Sequence, residues 1–143
     1  MAVTVFRASI DDVGFARTAL VEIHERHQVD DDSISSFLTT PECFLLLAVE
    51  DGCVLGSLNG YLLRQPDRSH PQFLLYEIDV REEHRRRGIG TALVNGFTDE
   101  ARAARAFEVW FVSNESTSAA LALYRKCGYR RENDDDVMLS IPL

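Results

Sequence analysis

The stretch Phe73-Leu74-Leu75-Tyr76-Glu77-Ile78-Asp79-Val80-Arg81-Glu82-Glu83-His84-Arg85-Arg86-Arg87-Gly88-Ile89-Gly90 decides the fold. Its opening run, Phe73 to Val80, is nearly continuously apolar, which suits a central strand buried on both faces. After the charged turn, Ile89, Leu93, Phe97, Ala101 and Ala104 recur at helical spacing, so a helix is expected over about 90–106. The first turn of a helix has backbone N–H groups without intrahelical partners, and its dipole favours anions. Gly88 and Gly90 carry no Cβ, so a pyrophosphate can approach the backbone closely. Arg85, Arg86 and Arg87 can add charge-assisted contacts to phosphate oxygens. The turn is neither a Walker loop, since no Gly-Lys pair follows, nor a dinucleotide fingerprint, since the third glycine is missing. On its residues alone it is either a phosphate cradle or a solvated basic turn.

Working outward, Val3 to Ala8 reads as a first strand, and Ser9 with Asp12 as a capping box. Val13, Ala16, Leu20 and Ile23 then predict an amphipathic helix over 11–28, broken at Asp30-Asp31-Asp32-Ser33 and followed by a short helix over Ile34–Leu38. Cys43–Glu50 and Val54–Leu63, joined by Asp51-Gly52, predict a β-hairpin. Beyond the central segment, Glu108–Ser113 reads as a strand and Thr117–Cys127 as a helix closed by Gly128. Tyr129–Arg131 and Val137–Ile141 read as terminal strands around the Asp134–Asp136 turn. The 143 residues form one α+β domain with a mixed sheet on this reading, without repeat or linker.

Composition narrows the function. The 23 acidic and 15 basic residues give a net charge of -8, which disfavours nucleic acid and anionic membrane and is compatible with a cationic substrate. No apolar stretch is long enough to span a bilayer, and the N-terminus does not read as a signal peptide. Cys43, Cys53 and Cys127 are odd in number and form no CxxC pair, so a reducing, cytoplasmic setting without disulfide framework or zinc is expected.

Glu77 and Asp79 stand two apart and share one face of the strand, with Leu74, Tyr76, Ile78 and Val80 expected on the other. Carboxylates on an apolar strand are costly unless paired, hydrated or used, so they are either structural partners of an arginine or functional groups. His24 and His27 share a helical face, but no third ligand accompanies them, so no metal is expected. Tyr124, on the last helix, is on its own terms a core aromatic, and His84 a loop residue.

Two motifs in order resemble the GNAT superfamily of N-acetyltransferases. The R/Q-x-x-G-x-G/A turn reads Arg85-Arg86-Arg87-Gly88-Ile89-Gly90, and the A-x-x-L-Y-x-x-x-G-F/Y helix reads Ala120-Leu121-Ala122-Leu123-Tyr124-Arg125-Lys126-Cys127-Gly128-Tyr129. Within the superfamily, Leu75 to Arg86 and Tyr61 to Pro66 look like the aminoglycoside 3-N-acetyltransferase group. The position seven residues before Tyr124 is Thr117, where neither the common Asn nor the acids of that group occur; Asn114 and Glu115 lie a little earlier.

The resemblance implies a mixed, mostly antiparallel sheet of six to seven strands flanked by about four helices. It implies acetyl-CoA as co-substrate and direct transfer to an amine, with no acyl-enzyme on a cysteine. The 3-amino group of an aminoglycoside is the acceptor it points to; another small amine, a peptide amine and a non-catalytic acyl-CoA-binding module are the alternatives. Glu77, with Asp79 as alternate, would be the base, and Tyr124 the proton donor to the thiolate. A backbone N–H near Val80 would meet the oxyanion, and Ile78 to Val80 would hold the pantetheine. Arg85 to Gly90, Thr91 and Asn114 would complete the cofactor site, and Glu77, Asp79 and Glu115 the cationic-substrate site. Dimers are common in the superfamily.

Overall fold

A computed structural model describes residues 2–113, 118–133 and 135–143, with Ser118 described by its backbone alone. It divides into two compact units, Met1–Phe111 and Val112–Leu143.

The first unit is built on five strands: β1 (Thr4–Arg7), β2 (Cys43–Glu50), β3 (Cys53–Leu63), β4 (Gln72–Val80) and β5 (Glu108–Phe111). They lie in sequence order, antiparallel except for the parallel β4–β5 pair. Asp51 and Gly52 take the left-handed conformations that a tight hairpin turn requires. Helix α1 (Val13–Thr18) begins after a short 3₁₀ turn capped by the Ser9–Asp12 box. α2 (Asp31–Thr39) starts earlier than expected, because Asp30 accepts from the Ser33 N–H and so caps the helix rather than breaking the chain. α3 (Ile89–Ala103) follows Gly88.

The sheet has a core on each face. Phe44, Phe73 and Phe97 form an aromatic cluster beneath α3, with Leu46, Leu58, Leu75 and Leu93 fully buried nearby. On the other face Ala16, Ala19, Ile23 and Ile34 close over Leu45, Leu47 and Val54. The long helix expected over 11–28 is not one α-helix: α1 gives way to a wider π turn over Ala19–Ile23.

The second unit contains α4 (Ser118–Lys126), ended by Gly128 at φ 93. The two expected terminal strands are not formed: the described residues hold five strands, not six to seven. Val137, Leu139 and Ile141 are 78–86% exposed, and the described residues of the second unit contain no strand. Their apolar alternation was a strand signal without a partner edge.

Candidate active site

The bend that shapes the site is a β-bulge. Gly60 faces Leu75 and Asn59 faces Glu77, so Tyr76 is the extra residue of β4. It switches the pleat. Gly60 and Gly56 point toward Phe97 and Leu93 of α3, so their ladder partners Leu75 and Val80, and Ile78 between, lie on the α3 face. Glu77 and Asp79 fall on the opposite face, as expected. Leu74 and Tyr76 lie there too, however: Leu74 opposes Tyr61, and the Tyr76 ring meets the Tyr61 ring edge-on at 5.7 Å. The simple period-2 reading misplaced both because it contained no bulge. Nor is β4 buried on both faces: only Phe73 and Leu75 are buried, while Tyr76 is 61% exposed.

Above the carboxylates sits the π turn, a distortion common at functional sites. It closes with the His24 N–H on the Ala19 carbonyl, and Glu25 follows at φ 54. This turn delivers His24 and Arg26 together to Glu77. Arg26 Nη2 donates to Glu77 Oε2 at 2.7 Å, and His24 Nδ1 lies 3.9 Å from Oε1. The other ring nitrogen, Nε2, is 2.6 Å from Ser57 Oγ, which is fully buried on β3. Burial pushes the His24 imidazole below its ordinary value; Glu77 and Asp79 pull upward less strongly, and Arg26 adds to the lowering. The sequence had offered His24 only as half of a metal pair. His27 is exposed, and no metal-binding group occurs among the described residues.

Past the bulge, β4 loses its neighbour. β5 pairs only with Gln72–Leu75, and among the described residues no strand lies along that side of Ile78–Val80. The Arg81 N–H donates to Leu55 of β3, so alternation turns the polar groups of Val80 away from β3, toward the unpaired edge. Both are taken by side chains. Asp79 Oδ1 accepts the Val80 N–H at 2.8 Å, and Arg85 Nε donates to the Val80 carbonyl at 3.1 Å. An Arg85–Asp79 ion pair at 3.2 Å joins the two caps. The expected oxyanion donor is therefore engaged, and so is the alternate base.

The Arg85–Gly90 turn leads directly into α3. Arg86 and Gly88 take left-handed conformations, at φ 62 and 80, and nothing lies within 4 Å of where a Gly88 Cβ would be. Gly88 is the N-cap of α3, and the first intrahelical bond runs from Ala92 N–H to its carbonyl. Thr91 stands in the first turn, whose leading N–H groups point outward. These features fit a phosphate group. The three arginines are not equivalent: Arg87 is held by Glu50 at 2.9 Å and by His84 Nδ1, Arg85 is folded onto Asp79, and Arg86 makes no side-chain bond among the described residues.

Between the π turn and the end of β4 lies a cleft of about 390 Å³. It is lined by the acidic residues Glu22, Glu25, Asp79, Glu82 and Glu83, with His24, Arg81 and Arg85. Arg81 is tied to Glu22 at 2.6 Å and to the Val54 carbonyl, leaving an acidic surplus.

In the second unit, Tyr124 is buried, its ring 5.9 Å from that of Tyr129. Burial, with smaller contributions from Tyr129 and Cys127, pushes its hydroxyl up to about 12, so it holds its proton throughout the neutral range. Asn114, Glu115 and Thr117 lie outside the described residues.

A family model for the acetyltransferase (GNAT) family matches residues 13–129. A mouse (Mus musculus) protein described as probable N-acetyltransferase family 8 member 5 is 28% identical over 100 residues, covering 70% of this chain and 44% of its own length. The chain thus spans under half of that relative. An aminoglycoside acetyltransferase from an uncultured soil metagenomic sample is 25% identical, with a TM-score of 0.90 over 100% of this chain and 99% of its own. A ribosomal-protein-alanine N-acetyltransferase from Brucella melitensis is 21% identical, with a TM-score of 0.77 over 97% of this chain and 100% of its own, a likeness of fold.

Proposed function

Since the chain belongs to the acetyltransferase (GNAT) family, we propose that it transfers the acetyl group of acetyl-CoA to a small cationic amine, an aminoglycoside foremost. The carrying observation is the acidic surplus of the cleft that ends at Asp79 and Val80. A polycationic acceptor is attracted and oriented by carboxylates on several sides. The structural neighbour that acts on aminoglycosides supports the same class.

In this reading residues 1–143 act as one acetyltransferase domain. Gly88, Ile89, Gly90 and Thr91 present backbone N–H groups to the pyrophosphate, with Arg86 as the cation ready to meet it. Ile78 and Val80 supply the unpaired strand edge along which a pantetheine arm lies like an added strand. For the Val80 N–H to meet a developing oxyanion, the Asp79–Arg85 pair must turn aside, and a phosphate beside the turn competes for Arg85. Glu77 takes the ammonium proton, which leaves the nitrogen lone pair free to attack. Tyr124, protonated at neutral pH, returns a proton to the departing thiolate. Holding both substrates together supplies much of the rate.

The test is thiol release from acetyl-CoA with a panel of amines: kanamycin, gentamicin, spermidine, free amino acids and an alanine-led peptide. Turnover led by the aminoglycosides supports the reading. Turnover led by the peptide replaces the acceptor, and thiol release with none of them sinks amine transfer.

A further inference from the structure

The site contains a buried titratable group for which the mechanism above has no use. His24 has a side chain only 7% exposed, yet it lines the acidic cleft and lies against Glu77. Its two nitrogens face different fixed partners: Ser57 Oγ at 2.6 Å on Nε2, and Glu77 Oε1 at 3.9 Å on Nδ1. A separation of 2.6 Å is within hydrogen-bond reach and 3.9 Å is not, so Ser57 is the partner that sets the ring's orientation and tautomer. Ser57 is fully buried beneath this face, and its Oγ lies within hydrogen-bond distance of Nε2. If Nε2–H donates to Ser57, the Nδ1 lone pair is directed at Glu77. Closing 3.9 Å to a hydrogen bond takes a movement of about 1 Å, or one bridging atom about 2.8 Å from each.

We propose that His24 is a positioning residue for Glu77 in amine acetylation, fixed by Ser57 and taking onto Nδ1 the proton that Glu77 removes from the substrate ammonium. The inference rests on the acetyl-transfer reading. The balance is simple. An N–H bond of the ammonium breaks, its electron pair stays on nitrogen, and an O–H bond forms on Glu77. That O–H then breaks as Nδ1–H forms, which regenerates the carboxylate beside an imidazolium. The relayed proton leaves to water through the cleft, and Glu77 is ready for the next substrate.

The surroundings suit the step. Burial keeps the resting ring neutral and able to accept. Glu77 and Asp79 of β4 favour the imidazolium once it forms, whereas Arg26, from the ring's own loop, opposes it. The Glu22–Arg81 pair, Glu25 and Arg85 face the same cleft.

The experiment measures kcat against pH for the full chain, with acetyl-CoA and the fastest amine among kanamycin, spermidine and an alanine-led peptide. His24→Asn keeps a polar amide near the Nδ1 position but has no basic nitrogen to take the proton. It is expected to lower kcat roughly a hundredfold, leave the KM for acetyl-CoA within about twofold, and remove the limb that His24 sets below pH 6.5. An unmoved limb at near-normal kcat overturns the inference. Should His24→Asn misfold, the His24 ring C–H resonance of the unaltered chain and of Glu77→Gln decides. The midpoint is expected to fall further in Glu77→Gln, since Glu77 raises it; an unchanged midpoint overturns the pairing. Failure of the unaltered chain to acetylate any amine overturns the functional reading itself, and is distinguishable from turnover with an unmoved profile.

Discussion

Gly60→Ala tests the bulge on which the site depends. A Cβ at residue 60 would lie 2.4 Å from Phe97 Cζ and 2.5 Å from the Leu74 carbonyl oxygen. Ordinary contact begins at 3.4 Å, so strand and ring must part by nearly 1 Å. Neither yields easily: the Leu74 oxygen belongs to the backbone, and Phe97 is fully buried between Phe44 and Phe73. Overpacking of this kind costs about 1–3 kcal/mol, and two rigid obstacles place Gly60→Ala near the upper end. At about 3–5 °C per kcal/mol for a chain of this size, Tm should fall by roughly 10 °C. Since Gly60 sits opposite the Tyr76 bulge, the displacement also misaims Glu77, and kcat/KM should fall about tenfold even at temperatures where the variant is folded. Gly14→Ala is the control. Gly14 is exposed on α1 with nothing within 4 Å, so a gain of about 0.5–1 kcal/mol is expected. The assay is thermal melting by circular dichroism together with steady-state rates. A Gly60→Ala Tm within about 2 °C of the parent would refute the packing argument.

Three further outcomes follow from the geometry. His24 releases its proton at lower pH in the folded chain than near the 6.5 of an unfolded histidine, so the unfolded state binds more protons between those values. Stability should therefore be full above pH 6.5 and be lost as pH falls toward the folded value; urea melts at pH 5 and 7 should show this loss in the parent and a smaller one in His24→Asn. Asp79→Asn should leave kcat within a few-fold, because Asp79 already serves Val80 and Arg85; a fall matching that of Glu77→Gln would reassign the base. The unaltered chain should show no basic limb from Tyr124 below pH 10, since burial pushes that hydroxyl up to about 12, and Tyr124→Phe should lower kcat about tenfold or more; a limb between pH 8 and 10 that disappears in Tyr124→Phe would contradict that protonation state.

Most elements of the first unit were legible because their signals are local. The Asp51-Gly52 turn, the Ser9–Asp12 box and the stripe of Ile89, Leu93 and Phe97 each carry their cause within a few residues. The Arg85–Gly90 turn was readable for the same reason. What escaped depends on contacts distant in sequence. The Tyr76 bulge is visible only against β3, although a glycine inside a strand, Gly60, is the signal that could have raised it. The π turn that carries His24 and Arg26 to Glu77 leaves no periodicity of its own. His24 and Ser57 are 33 residues apart, and nothing local joins them. Val137 to Ile141 show the opposite error, a local strand pattern that finds no partner.

The most direct measurement is the initial rate of thiol release from acetyl-CoA at saturating kanamycin, compared between the unaltered chain and Glu77→Gln at neutral pH. The account predicts steady, amine-dependent turnover for the unaltered chain and a loss of roughly a hundredfold or more in kcat for Glu77→Gln, with acetyl-CoA binding retained. Amine-dependent turnover that survives Glu77→Gln undiminished would contradict it.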